Sequence, residues 1–151
     1  MLVATTPVKV WTKLIGTSGN DVGRALTTGS DGSIYVSGYT SGNLDGETNS
    51  GGHDAFLTKY GVNGIRAWTK LIGTSGYEGG SGLTTGSDGS IYVSGSTYGN
   101  LDGETKSANS GSNAFLTKYD ANGIRAWTKL IGITDYGSSG CPSSNGLRQM
   151  G

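Results

Sequence analysis

The chain is 151 residues long, enough for one ordinary domain, and it is rich in glycine, with 29 Gly against 2 Pro. Its 11 basic and 11 acidic residues cancel and form no run of either sign, which argues against a nucleic-acid partner. No apolar stretch approaches the roughly 20 residues that cross a bilayer, so we expect no membrane partner. With one histidine and one cysteine, a His-cluster metal site and an internal disulfide are excluded, and catalysis is not expected.

An internal repeat dominates the sequence. The hexapeptide WTKLIG starts at Trp11, Trp68 and Trp127, whereas GSIYVSG, GNLDGET and AFLTKY each occur twice. We assign a repeat region over residues 1–132, with an N-terminal outer strand at 8–16 and two units at about 17–73 and 74–132. The pattern is lost after residue 132, and we expect an irregular or disordered tail over 133–151.

Each unit contains four short strand-like runs. In the first unit they are RALTT (24–28), SIYVSG (33–38), DAFLTKY (54–60) and IRAWTKLIG (65–73). Asp31-Gly32 and Asn63-Gly64 separate paired runs, and both dipeptides predict tight hairpins of type I′, which need positive φ at both central residues. Asp88-Gly89 and Asn122-Gly123 repeat the signal, and no window shows a helical period.

The strands are apolar on both faces. In SIYVS, Ile34 and Val36 alternate with Tyr35, and in RAWTKLI the Trp68 side of the strand is as apolar as the opposite side. Strands covered on both faces have this pattern. We therefore predict an all-β fold of β-propeller blades, each of four antiparallel strands, with two blades plus one extra outer strand per chain.

The repeated phrases GLTTGSDGSIYVSG and NAFLTKY…NGIRAWTKLIG resemble the SBBP-type β-propeller repeat of bacterial proteins, and more distantly NHL-type and WD-repeat blades. The resemblance covers about residues 8–132. It implies that the LTT strand is innermost, that the Trp strand is outermost, and that the parent protein is secreted or on the bacterial surface. It implies no catalytic residues. The start MLVATTPVKV is not a signal peptide, so localisation stays open.

Two blades cannot close a ring, because propellers have 4 to 8 blades. We expect homo-oligomers in which three chains form six blades or four form eight; the alternative is that the chain is part of a longer propeller. The third WTKLIG suggests a clasp, in which residues 8–16 complete a neighbouring chain's second blade and the C-terminal copy is displaced. The simpler alternative is that these residues extend an edge of their own chain.

Two groups of residues are candidates for ligand binding. Oxygen-bearing side chains alternate in the loop between the second and third strands of each unit, as calcium ligands do, although solvated turns explain them as well. They are Asn43, Asp45, Glu47, Asn100, Asp102 and Glu104. The second copy has Lys106 and Asn113 in place of Asn49 and Asp54, which weakens a shared metal site, and we predict no cofactor.

Aromatic residues form the second group. Tyr39 and Tyr98 lie beside the loops, and Trp11, Trp68 and Trp127 recur in the outer strands. Their faces suit the stacking of sugars, so a glycan is a possible partner and a lectin with one site per blade is an alternative function. Packing between blades is the other interpretation of the Trp residues. The leading function is a non-enzymatic interaction or scaffold module.

Overall fold

A computed structural model describes residues 3–107 and 111–132. The described chain forms eight β-strands: β1 Asp21–Thr28, β2 Ile34–Thr40, β3 Asp54–Tyr60, β4 Arg66–Ile72, β5 Glu78–Thr85, β6 Ile91–Thr97, β7 Asn113–Tyr119 and β8 Arg125–Ile131. The predicted tail lies outside the described residues. In the described part of the chain, no helix is long and apolar enough to cross a membrane.

The strands form two four-stranded antiparallel sheets in simple chain order, β1–β4 and β5–β8. Each sheet falls within one sequence unit. This arrangement confirms the predicted all-β class and the four-stranded blade. β1 and β5 begin three residues earlier than the sequence pattern predicted for β1, because Asp21–Gly23 and Glu78–Gly80 continue the ladders with β2 and β6.

The hairpins are confirmed, but the predicted type I′ turns are wrong. At the β1–β2 turn only Gly32 has positive φ, at 79°, and its N–H donates to the Gly29 carbonyl at 3.1 Å. The Gly29 N–H in turn donates to the Ser33 carbonyl at 2.8 Å. The loop is one residue longer than a type I′ hairpin, and its single positive-φ glycine forms a bulge after an ordinary turn.

Positive φ at both central residues occurs elsewhere, at Asp45 (54°) and Gly46 (88°) in the β2–β3 loop. Leu44 and Glu47, on either side, exchange backbone hydrogen bonds of 3.1 and 2.9 Å. This is the two-residue hairpin pattern, and Asp tolerates the left-handed conformation better than most residues. The segment first considered as a calcium loop therefore contains a tight hairpin that buries Leu44 completely.

The two sheets pack face to face, and the core lies between them. Tyr35, Leu57 and Ile72 from the first sheet meet Ile91, Val93 and Phe115 from the second, among other members of one buried cluster. β5 contacts β1, β2 and β3. Since Gly80 has no side chain, β5 approaches β2 at Ser37 closely enough that a β-carbon would clash there. Each sheet is thus covered on the face that meets the other sheet, whereas the opposite faces carry the exposed Leu26 and Ile131.

The N-terminal segment, residues 8–16, forms no strand with any described residue. It nevertheless lies in a defined place. Trp11 covers the β3–β4 turn, where a β-carbon on Gly64 would lie 3.0 Å from the indole, and Trp68 covers the β7–β8 turn at Gly123 with the same 3.0 Å spacing. The segment therefore occupies the outer-strand position of a preceding blade. Within the single chain Arg125–Ile131 pairs with β7, and displacement of this copy in an assembly stays a prediction.

Candidate functional site at the junction of the sheets

The acidic residues of the β2–β3 loop hold the loop to the outer strand. The Asp45 carboxylate accepts hydrogen bonds from the Arg66 guanidinium and, at 2.5 Å, from the Thr69 hydroxyl. In the second unit Asp102 makes the same bonds to Arg125 and Thr128. Charge-assisted bonds of this kind are stronger than neutral ones, so these aspartates clamp the hairpin of the loop onto the sheet.

The other polar loop residues are also engaged in local contacts. The side-chain oxygens of Asn43 and Asn100 each accept a backbone N–H six residues later, at 3.0 and 2.9 Å. Glu104 pairs with Lys129 at 3.2 Å. Glu47 and Glu104 also close their hairpins through backbone bonds. Within residues 3–107 and 111–132, no group of three or more His, Cys, Asp or Glu side chains could hold a metal ion.

The three tryptophans lie along the outer edge of the stack. Trp68 packs against the core cluster, and its indole N–H donates to the Ala121 carbonyl of the next sheet at 3.3 Å. Trp11 makes the equivalent packing contact with the first sheet. Trp11 and Trp127, at the two ends of the stack, are 38% and 37% exposed. The indole positions follow the stacking of one blade on the next.

Four aromatic rings form a ladder across the junction of the two sheets. Tyr39 and His53 have ring centroids 4.9 Å apart, His53 and Tyr77 5.1 Å apart, and Tyr77 and Tyr98 6.4 Å apart. The Arg24 guanidinium lies 5.1 Å from the centroid of the Tyr39 ring, within the range of a cation–π contact. Both tyrosines predicted from the sequence thus belong to one cluster, separate from the loop acids.

Backbone hydrogen bonds between the two units and within the second unit hold this ladder in place. The Glu78 N–H donates to the His53 carbonyl at 2.7 Å, and the Tyr98 N–H donates to the Tyr77 carbonyl at 3.1 Å. The Tyr77 ring lies over Gly52, where a β-carbon would come within 2.6 Å of it. The rings are therefore positioned by the frame of both sheets rather than by a single loop.

A shallow pocket opens beside the ladder at the end of the sheets where β2 ends and β5 begins. Residues from both units line it: Arg24, Tyr39, His53, Tyr77, Glu78, Gly79 and Ser96. Only Tyr39 among these was predicted from the sequence. The other lining residues could have been found by comparing the two units. The units differ at fewer than one in four of their aligned positions, yet every lining residue stands at a position where they differ.

Two carboxylates lie close to the pocket in contrasting environments. Glu78 is buried, and its oxygens accept hydrogen bonds from the Thr74 N–H (2.7 Å), the Thr74 hydroxyl (2.7 Å) and the Thr97 hydroxyl (2.8 Å). Asp54 accepts the Ser50 N–H at 2.9 Å through one oxygen, while no described residue bonds to its Oδ1. Burial, with a smaller contribution from the Glu78 charge, raises the pKa of Asp54 above its usual value.

Comparison with known proteins identifies the repeat. Residues 10–45 match the family described as SBBP, β-propeller repeat. The match extends from the N-terminal segment through β1 and β2 to the Asp45 hairpin, so the SBBP repeat joins the outer-strand position of one blade to the inner strands of the next. This confirms the resemblance drawn from the sequence.

The chain is also similar to "Regulatory protein FlaEY" of Caulobacter vibrioides, with 32% identity over 142 residues. The similarity covers 85% of this chain but only 15% of the relative. Similarity to a bacterial regulatory protein, together with the SBBP repeat, is consistent with a repeat module.

Proposed function

We propose that this chain is a non-enzymatic SBBP propeller module that associates head to tail with copies of itself and serves as a scaffold or interaction unit. Three chains would complete six blades, or four would complete eight. The observation that carries this proposal is the unequal burial of identical residues at the two ends of the chain. Because the units repeat, each exposed residue has a counterpart whose burial shows what a neighbouring blade would cover.

At the C-terminal end of the stack, the second sheet has an outer face formed by β6–β8. This face corresponds to the face of the first sheet that packs against the second sheet. Ile72 in β4 is 2% exposed, whereas its counterpart Ile131 in β8 is 61% exposed. Ala55 is fully buried and its counterpart Ala114 is exposed. Burying most of an isoleucine side chain contributes about 1–2 kcal/mol, so a few such residues favour a covered face.

At the N-terminal end of the stack, the outer face of the first sheet corresponds to the face of the second sheet that packs against the first sheet. Ile91 and Val93 are fully buried against the first sheet, while their counterparts Ile34 and Val36 are only half-buried. Leu26 is 65% exposed, and its counterpart Leu83 packs against the core cluster. The two ends of the chain therefore repeat the two sides of an interface that already exists inside the chain, and a second copy of the chain is the partner that fits both.

The N-terminal segment restricts how this contact forms. It holds the outer-strand position that β8 of a neighbouring chain would take, so only one of the two can remain. β8 has a full ladder with β7 and the segment has none, which favours β8. We therefore expect that removal of residues 1–16 leaves the number of chains in the assembly unchanged or strengthens their association. Loss of assembly would show instead that the segment acts as the clasp.

The test is the native mass of the chain and of two matched variants. We expect the unaltered chain to assemble to three or four times its 15.4 kDa mass, and Ile131→Asp to shift it toward the monomer. Ile124→Asp is the control, because Ile124 is 65% exposed and its counterpart Ile65 is 66% exposed, so a neighbouring blade does not cover this position. A monomeric unaltered chain, or equal effects of the two variants, would contradict the proposal.

A further inference from the structure

The junction pocket differs from the rest of the molecule because its lining is not repeated. Arg24, Tyr39 and His53 in the first unit correspond to three serines in the second, Ser81, Ser96 and Ser112. Most other positions, including every glycine with positive φ, carry the same residue in both units. The structural role of the blade therefore does not require the large polar and aromatic side chains at this pocket, since the second blade forms without them.

Four polar side chains of the pocket, unlike the bonded Glu78, make no hydrogen bond or ion pair within the described chain. The guanidinium of Arg24, the ring nitrogens of His53 and the hydroxyls of Tyr39 and Tyr77 make no hydrogen bond or ion pair to any residue of 3–107 or 111–132. Arg24 contributes five N–H donors, and the histidine and tyrosines both donate and accept. A ligand with many hydroxyl groups would satisfy this set of donors and acceptors.

Charge and ring geometry narrow the class of ligand. The lining contains one cationic side chain, Arg24, and one acidic side chain, Glu78, so its formal charges cancel, which favours a neutral ligand over an ion. The rings of Tyr39, His53 and Tyr77 are inclined to each other by 51° and 64°, so they do not form the parallel walls that would sandwich a flat base. A puckered ring with C–H groups on its faces and hydroxyls at its edge fits an inclined aromatic surface with polar neighbours.

We propose that the junction pocket binds one neutral sugar residue per chain, with the sugar ring against Tyr39 and Tyr77 and its hydroxyls bonded to Arg24, His53 and Ser96. The site is preorganised, because the backbone bond between Glu78 and His53 joins its two walls. Both walls come from one chain, so the site does not depend on self-association.

The position of the site also sets its stoichiometry. At a junction between two chains, Ser81 and Ser112 would replace the Arg and His, and Asn20, Asp21 and Val22 would replace Tyr77, Glu78 and Gly79. That junction would lack the cation and both stacking tyrosines, with Ser96 in place of Tyr39, Asn20 in place of Tyr77, and a tyrosine only at the position of Ser96. We therefore expect one site per chain rather than the one site per blade suggested by the sequence.

Titration of the ¹⁵N-labelled chain with the methyl glycosides of glucose, galactose, mannose and N-acetylglucosamine tests the proposal by amide chemical shifts. A ligand of about a dozen heavy atoms is expected to bind with a millimolar Kd. We expect at least one sugar to give saturable shifts at His53, Tyr77 and Gly79, with a stoichiometry of one per chain. The absence of saturable shifts for all four sugars, or a stoichiometry of two, would overturn it.

Variants that exchange residues between the units provide the controls. Tyr39→Ser and Tyr77→Asn each introduce the residue that the other unit carries at that position, and each should weaken binding by about tenfold or more through loss of stacking. Ala121→Val is an equivalent exchange at the distant β7–β8 turn and should leave the Kd unchanged. Retained affinity in both tyrosine variants would overturn the proposal. Binding should persist in Ile131→Asp, so failure of self-association and failure of sugar binding are distinguishable.

Discussion

Replacing Gly123 with alanine should destabilise the chain more than the same change at Gly89. Both glycines follow hairpin turns in the second sheet and both have positive φ, 82° and 80°. Alanine in the left-handed region costs about 1–2 kcal/mol at either position. At Gly89 nothing lies within 4 Å of the added carbon, so that backbone penalty is the whole effect.

At Gly123 the added carbon would also lie 3.0, 3.1 and 3.2 Å from three atoms of the Trp68 ring. Carbon atoms normally approach to about 3.5–4.0 Å, so the ring must move. Trp68 is held by its hydrogen bond to Ala121 and by packing against Tyr35, whose ring centroid is 6.0 Å away. Overpacking of this kind costs about 1–3 kcal/mol, which is the expected difference between the two variants.

The measurement is urea unfolding followed by circular dichroism, with the two variants compared at a common m-value. A further 1–3 kcal/mol corresponds to a melting temperature lower by roughly 2–12 °C for a chain of this size. Equal midpoints for Gly123→Ala and Gly89→Ala would refute the view that the indole of one blade rests on the turn of the next.

Three further predictions concern stability. Gly64→Ala should lower the urea midpoint more than Gly32→Ala if the N-terminal segment is docked, because only Gly64 lies under an indole; equal losses would place the segment in solvent. Burial raises the pKa of Asp54, so the folded state holds its proton more tightly and Asp54 reduces stability as pH rises above its unfolded pKa of about 3.9. Asp54→Asn should therefore stabilise by about 1 kcal/mol at pH 7, with the gain shrinking toward pH 3; a gain independent of pH would contradict the cause. Asp45→Asn keeps a residue suited to positive φ but weakens the bond to Arg66, so it should lower stability by about 0.5–1 kcal/mol. Added calcium should not change the melting temperature, and a calcium-dependent increase would support the metal-site interpretation instead.

The architecture of each blade was predictable because its signals are local. All eight strands and both hairpins of each unit were predicted from three features. These are the alternation of apolar residues, the Asp-Gly and Asn-Gly dipeptides, and the close similarity of the two units. The turn type was not predictable from the dipeptide alone, because loop length decides whether one or both central residues take positive φ. At Asp31-Gly32 the longer loop gave one positive φ, and at Asp45-Gly46 the shorter one gave two.

The candidate site was only partly predictable. Tyr39 and Tyr98 stood out as aromatic residues beside loops, but Arg24, His53 and Tyr77 are far apart in sequence and meet only through the packing of two sheets. Asp45 and Asp102 looked like metal ligands because their spacing suits oxygen coordination. Their carboxylates instead face Arg66 and Arg125, more than 20 residues later, and that contact is invisible in a local pattern.

The sequence by itself determined the eight strands, their division into two blades and the existence of a third copy of WTKLIG, since these depend on periodicity and on turn residues within a few positions of one another. Only the tertiary structure decided which face of each blade is covered and which side chains share the junction pocket. Stacking of one sheet on another brings together residues of different units, and it leaves Ile131 exposed where the identical Ile72 is buried. Whether a residue is buried depends on the sheet that packs against it, and a repeated sequence does not show which blade face has no sheet against it.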